Sequence, residues 1–237
     1  MMAYQFVQNF VPAAKYSKKC PYTMTAQYIT VHNTANDASA DNEVAYMLRN
    51  DNAVSYHVAV DDKKVIQTVP FNRNAWHCGD GANGNGNRKS IGIEICYSKS
   101  GGARYVQAEE NAVQYIAKLL HDFGWGVDRI KQHHNWSGKD CPHRIRAEKR
   151  WDSFIKRISN ALAALKCPQV KGVSYTKAEP KEDDDMKLNE TGRQAAREII
   201  KRAVADGTFT SKHENVDKYD DDELVSYALA YMNRKLK

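Results

Sequence analysis

Seven residues near the middle of the chain, Ile91-Gly92-Ile93-Glu94-Ile95-Cys96-Tyr97, alternate without a break. The odd positions are large and apolar, and the even positions set Gly92, Glu94 and Cys96 on the opposite side. A period of two is the periodicity of a strand. A carboxylate on the second face is costly unless it meets a charge or solvent. The chain is therefore expected to build a sheet with one covered face and a second face able to hold Glu94.

Other segments supply the rest of that sheet and its cover. Tyr28-Ile29-Thr30-Val31 is a short β-rich run that delivers His32 at its end. From Val54 to Val60 the chain alternates, with Val54, Tyr56, Val58 and Val60 on one side. Asp61-Asp62-Lys63 then turns it into Lys64 to Val69, a hairpin pattern of strand, turn and strand. Helical spacing runs over Asp41–Arg49, Gln107–Phe123 and about Ala147–Leu165, with Gly124 as a terminator. Gly79 to Asn87 is a glycine- and asparagine-rich loop of the kind that lines a site. Strands mixed with such helices predict an α/β domain over residues 1–166. Residues 167–185 read as a linker, with Pro168, Pro180 and the run Glu182-Asp183-Asp184-Asp185. Residues 186–237 read as a small, mainly helical domain with helices at Asn189–Ala205 and Asp220–Lys235.

Composition narrows the function. No run approaches the ~18 apolar residues of a membrane span, and the N-terminus lacks the pattern of a secretory signal. Synthesis in a cytoplasm is expected, with release by some other agent. Five cysteines at irregular spacing argue against a disulfide framework and for a reduced compartment with one functional thiolate. Residues 1–166 carry 22 Lys and Arg against 15 Asp and Glu, whereas the remainder carries 13 against 14. A basic front half suits a polyanion, either nucleic acid or an anionic cell wall. No nucleic-acid-binding motif accompanies it.

The chemistry lies in His133-His134-Asn135-Trp136-Ser137-Gly138-Lys139-Asp140-Cys141-Pro142-His143, taken with Val31-His32-Asn33-Thr34. Imidazole nitrogen and thiolate sulfur suit zinc, and three protein ligands leave a position for water. Spacing alone does not choose among His133, His134 and His143.

These residues carry a resemblance. Ile29–Thr34, Val54-Ser55-Tyr56-His57-Val58-Ala59-Val60, Ala75-Trp76-His77-Cys78-Gly79, Ser90–Cys96 and His133–Pro142 follow one another as in the type 2 N-acetylmuramoyl-L-alanine amidases, the superfamily shared with peptidoglycan recognition proteins. Within it the chain looks most like endolysins of phages that infect Gram-positive bacteria. The resemblance implies a central mixed β-sheet flanked by helices and the substrate amide between N-acetylmuramic acid and L-alanine. It implies Zn2+ held by His32, His133 and Cys141. Glu94 falls on the family's catalytic glutamate and Lys139 on a lysine near the metal. Tyr56 falls on a tyrosine used near zinc in some relatives, with a core role equally open. His77, Trp76 and Asn33 fall at the substrate groove. The implied partners are bacterial peptidoglycan and anionic cell-wall polymers, with no nucleic acid. A non-catalytic wall-binding protein on the same fold is the competing reading, but such relatives typically lose the zinc cysteine.

Endolysins of this kind commonly join the enzyme to a wall-binding module, and residues 186–237 occupy that place. Lys181-Glu182-Asp183 can be encoded as AAG-GAG-GAT, a bacterial ribosome-binding sequence, with Asp184 and Asp185 as a spacer before Met186. An internal start at Met186 would yield free C-terminal modules able to assemble with the full chain and raise avidity.

Overall fold

A computed structural model describes residues 4–166, 188–209 and 215–235. The chain divides into two compact units, Met1–Val170 and Lys171–Lys237. The linker expected over 167–185, and Met186 beyond it, lie outside the described residues.

Among the described residues the larger unit holds six strands: β1 (Gln5–Gln8), β2 (Tyr28–Asn33), β3 (Val58–Val60), β4 (Lys64–Gln67), β5 (Ser90–Ile95) and β6 (Ile130–Gln132). They form one sheet in the order β1-β4-β3-β5-β2-β6. Only the β3–β4 hairpin is antiparallel, so the sheet is mixed, as expected. Its helices are α1 (Tyr16–Lys19), α2 (Ala40–Arg49), α3 (Asn85–Lys89), α4 (Gly102–Asp122), α5 (His134–Ser137), α6 (His143–Ala147) and α7 (Trp151–Lys166).

The alternation in β5 does what its pattern requires. Ile91, Ile93 and Ile95 are fully buried with Ile29, Val31, Val58 and Val60, in one core with Ala112, Ile116 and Leu120 of α4. Burying each such aliphatic side chain contributes roughly 1.5–3 kcal/mol. On the other face, β2 and β5 pair Thr30 with Gly92 and His32 with Glu94. Helix α7 backs α4 through Phe154, Ile158 and Leu162. Buried Glu109 of α4 accepts from Arg150 at 2.7 Å and from Arg157 at 2.6 Å, tying the two helices together.

Several elements differ from the sequence expectation. The strand expected from Val54 is ordered as strand only from Val58, and Val54 is 64% exposed. Ser55 and His57 instead donate main-chain bonds to the carbonyls of Trp76 and Gly92. Fully buried Lys19 holds this segment in place. Its ammonium donates to Asn50 Oδ1 at 2.8 Å and to the Val54 carbonyl at 3.0 Å, and its own carbonyl accepts from Ser55 Oγ. The helix expected from about Ala147 to Leu165 starts only at Trp151, as α7, because Lys149 in the left-handed region at φ 54° separates it from α6, which ends at Ala147. Helix α4 starts earlier than its apolar spacing implied, at Gly102, with Gly101 at φ 74° leading into it. The end of the glycine-rich loop is the start of α3, where Asp80 accepts from the N–H groups of Gly86 and Asn87. Strands β1 and β6, the two sheet edges, had no clear pattern in the sequence.

The smaller unit contains α8 (Glu190–Ala205) and α9 (Asp221–Lys235). Asn189 caps α8 by accepting from Gly192 N–H at 2.8 Å. Arg193 clasps Asp221 with two hydrogen bonds of 2.6 and 3.1 Å. Its own apolar core gathers Ala196, Ile200, Ala203, Phe209, Val216, Leu224, Ala228 and Tyr231. Ile199 packs at the margin of that core.

Candidate metal centre and active site

Strand β2 ends on His32 and Asn33, and β5 carries Glu94 beside them. His133 follows β6, and its N–H donates to the Val31 carbonyl. The chain then winds through α5, reverses at Gly138 (φ 76°), and returns Cys141 to the same place. The Cys141 carbonyl accepts from His134 N–H at 3.0 Å, which closes the loop. Thus a turn brings His133 and Cys141, eight positions apart, to one metal-sized space.

There His32 Nδ1 lies 3.1 Å from His133 Nδ1 and 3.7 Å from Cys141 Sγ. One potential ligand atom from each of the three lies within 4.8 Å of the others, and all three residues are buried. Burial, then the neighbouring His77 and His133, hold the His32 imidazole well below its usual proton affinity. Burial and the Lys139 charge lower that of His133. Burial pushes the Cys141 thiol up to about 12. Two ring nitrogens at 3.1 Å can share one proton only, and the surroundings disfavour a charged ring. A borderline-soft dication meets all three donors and ionises the thiol. The residues therefore fit zinc, and His134 and His143 are not among the three.

A second grouping, His32, His77 and Cys78, also lies within 4.8 Å. It shares His32 through the other ring nitrogen, because His32 Nε2 is 2.9 Å from His77 Nδ1.

Glu94 Oε1 is 3.9 Å from His32 Nδ1, and Glu94 Oε2 is buried without a hydrogen-bond partner. Burial raises the Glu94 carboxyl to about 8, with Glu43 adding to the rise and Lys139 opposing it. Tyr56 is buried with its hydroxyl unpartnered, and burial raises its proton affinity further than the carboxylates of Glu43 and Glu94 do.

Two cavities meet at this point. One, of about 480 Å³, runs along α2 past Glu43, Tyr46, Asn50 and His143. The other, of about 730 Å³, runs past Trp76, Gly81, Ala82 and Ser137. Both are lined by Asn33, Val54, Tyr56, Glu94, Lys139 and Cys141. An extended ligand crossing the groove would pass over the thiolate, the carboxylate and the lysine.

The remaining site candidates take distinct places. The Trp76 indole lines the second cavity while its N–H donates to the Lys18 carbonyl at 2.9 Å. Asn33 lines both cavities, but its amide is engaged, accepting from Arg144 N–H at 3.1 Å and donating to Tyr105. His77 is buried behind His32, and it also contributes to the wall of the second cavity. Glu43 was missed by sequence reasoning, since nothing in the α2 pattern separates it from an ordinary solvated glutamate. The buried histidines at 57 and 77 were visible as motif residues, but the packing of His77 on His32, and of His57 on His77, was not.

Comparison with known proteins agrees with this geometry. The family model described as N-acetylmuramoyl-L-alanine amidase matches residues 22–144, and the chain belongs to that family. Among curated relatives, "N-acetylmuramoyl-L-alanine amidase CwlA" of Bacillus subtilis (strain 168) is 61% identical over 164 residues, covering 69% of this chain and 60% of that protein. "N-acetylmuramoyl-L-alanine amidase XlyB" of the same organism is 59% identical over 155 residues, covering 65% of this chain and 49% of that protein. The chain thus spans about half to three fifths of the length of these relatives. Among solved structures, that of PlyL is 55% identical with a TM-score of 0.64, covering 65% of this chain and 97% of that one.

Proposed function

We propose that the larger unit is a zinc-dependent N-acetylmuramoyl-L-alanine amidase that cleaves the amide between N-acetylmuramic acid and L-alanine of the peptidoglycan stem. The observation that carries this reading is the convergence of His32, His133 and Cys141 beside the unpartnered oxygen of Glu94. When bound, zinc supplies a Lewis acid and lowers the pKa of water. Glu94 takes a proton from the attacking water and delivers it to the departing amine nitrogen of L-alanine. As the scissile carbonyl oxygen gains charge, the Lys139 ammonium and the Tyr56 hydroxyl stabilise it. The two arms of the groove orient the strand, with Trp76 and Asn33 on its walls and Glu94 at their meeting point. His77 contributes to the same site from the second cavity.

Mass spectrometry of digested Gram-positive wall tests this. New L-alanine N-termini that disappear after zinc is stripped and return when it is restored are expected. New reducing sugar ends in their place would rule the reading out.

The endolysin role, with synthesis in the host cytoplasm and action on peptidoglycan and anionic wall polymers, extends this reading. It rests on the motif resemblance and on the basic balance of residues 1–166. The assignment of residues 186–237 to wall binding or oligomerisation, and the internal start at Met186, complete it. The separate core of the smaller unit supports a module able to fold apart from the enzyme. A purified product with no fragment beginning at Met186 and the mass of a monomer would end the idea of assembly.

A further inference from the structure

Four buried histidines line up across the sheet, and only two of them belong to the ligand set. The His32 and His133 rings have centroids 4.8 Å apart, those of His32 and His77 5.0 Å, and those of His57 and His77 5.7 Å. We infer that His77 is a positioning residue that holds the His32 ring with Nε2 protonated, so that Nδ1 presents its lone pair to the metal. The inference rests on the zinc reading of this site.

The direction of the hydrogen bonds follows from the end of the chain. His77 Nε2 lies 3.3 Å from the Ser90 carbonyl oxygen, which can only accept. The proton of His77 therefore sits on Nε2, and its Nδ1 is an acceptor. His32 Nε2, 2.9 Å away, must then donate to it, which leaves His32 Nδ1 bare. The reverse order would set a bare His77 nitrogen against the Ser90 oxygen and place a proton on the nitrogen meant for the ion. Cys78 Sγ, 3.1 Å from His77 Nδ1, is a competing donor, but its proton has another acceptor in Thr30 Oγ1 at 3.9 Å. An outer hydrogen bond of this sort fixes the tautomer and orientation of a metal-binding imidazole.

The His77 ring is itself clamped. A Cβ on Gly92 would lie 2.7 Å from His77 Nδ1 and 2.8 Å from Cε1, so the ring rests directly on the strand where the side chain is missing. The N–H of Gly92 donates to His57 Nδ1 at 2.9 Å, and His57 Nε2 bonds the Arg73 carbonyl at 2.9 Å, which fixes the His57 ring beside His77. Asn87 Oδ1 accepts the main-chain N–H of His77 at 2.9 Å. Glycine at position 92 thus has a function beyond the strand: it admits the ring that orients the ligand on the next strand.

The test uses the full-length chain with Zn2+ alone as probe, titrated against a chromophoric chelator. Three variants are compared: His77→Leu, which removes the acceptor, His77→Asn, whose Oδ1 restores one near the Nδ1 position, and Gly92→Ala, which displaces the ring. His77→Leu and Gly92→Ala are expected to weaken zinc binding about 10–100-fold, with His77→Asn regaining most of it. Nitrogen-15 imidazole spectra of the zinc-loaded native protein are expected to show His32 protonated at Nε2. That measurement stands even where a variant does not fold. Native protein that binds zinc while folded His77→Leu binds it equally well, or a His32 ring protonated at Nδ1, overturns the inference and leaves the zinc reading intact. Native protein that binds no zinc overturns both.

Discussion

Glu94 stands opposite His32 in a parallel pair and keeps one oxygen free of any partner. Replacing it by glutamine keeps the shape and removes the proton acceptor. Glu94→Gln is expected to lower kcat about 10²–10⁴-fold, with zinc stoichiometry unchanged in a chelator titration. Tyr56 separates chemistry from packing in another way. Its buried hydroxyl has no partner, so Tyr56→Phe removes no bond in the free protein. Unfolding in urea should show no loss of stability, while kcat falls about 10²–10³-fold through loss of oxyanion stabilisation. A destabilised but fully active variant would return Tyr56 to the core. His57 sets an acid limit on the fold. Burial lowers its pKa from 6.5 to about 4, so the unfolded chain takes up a proton first as pH falls. Its contribution is full above pH 6.5 and is lost towards pH 4, by about 3 kcal/mol. Urea midpoints at pH 7.5 and pH 4.5 should fall more steeply for the native chain than for His57→Gln.

At the scale of elements, the wall of the groove depends on α1. Lys19 is the element's one fully buried side chain, and it bonds both ends of the turn from Asn50 to Val54. Lys19→Met removes the ammonium donor to the Val54 carbonyl and leaves Asn50 Oδ1 with only the Asn52 N–H; it should cost about 1–3 kcal/mol, read from urea melts, with a larger KM because Tyr56 and Val54 follow directly. The sequence announces elements where a single pattern governs them. Ile91–Ile95 and α4 are covered on the predicted faces because apolar periodicity decides both. Val54–His57 shows the opposite case: its alternation is real, yet Lys19, Trp76 and Gly92 compete for its main chain and win. The break at Lys149 was equally hidden, since Arg150 leaves the helical path to reach Glu109 41 residues away. The convergence of His32, His133 and Cys141 was legible through motif order, whereas Glu43 and the bond from His32 to His77 depend on packing between distant segments. Local periodicity contains no record of such contacts.

At the scale of the whole molecule, two separate apolar cores predict two unfolding events. Zinc at about 100 times its Kd should stabilise one of them by about 2.7 kcal/mol and leave the other where it was, as followed by calorimetry with and without the metal. A single transition shifted as a whole would contradict independent units. The pairing of His32 with Glu94 has a further consequence. Their separation is set by the spacing of two adjacent parallel strands, about 4.8 Å in any sheet, while the loops and α2 that wall the groove lie outside that ladder. Evolution can therefore exchange those walls, and a protein engineer can graft them, to change which ligand is gripped without retuning the distance between His32 and Glu94.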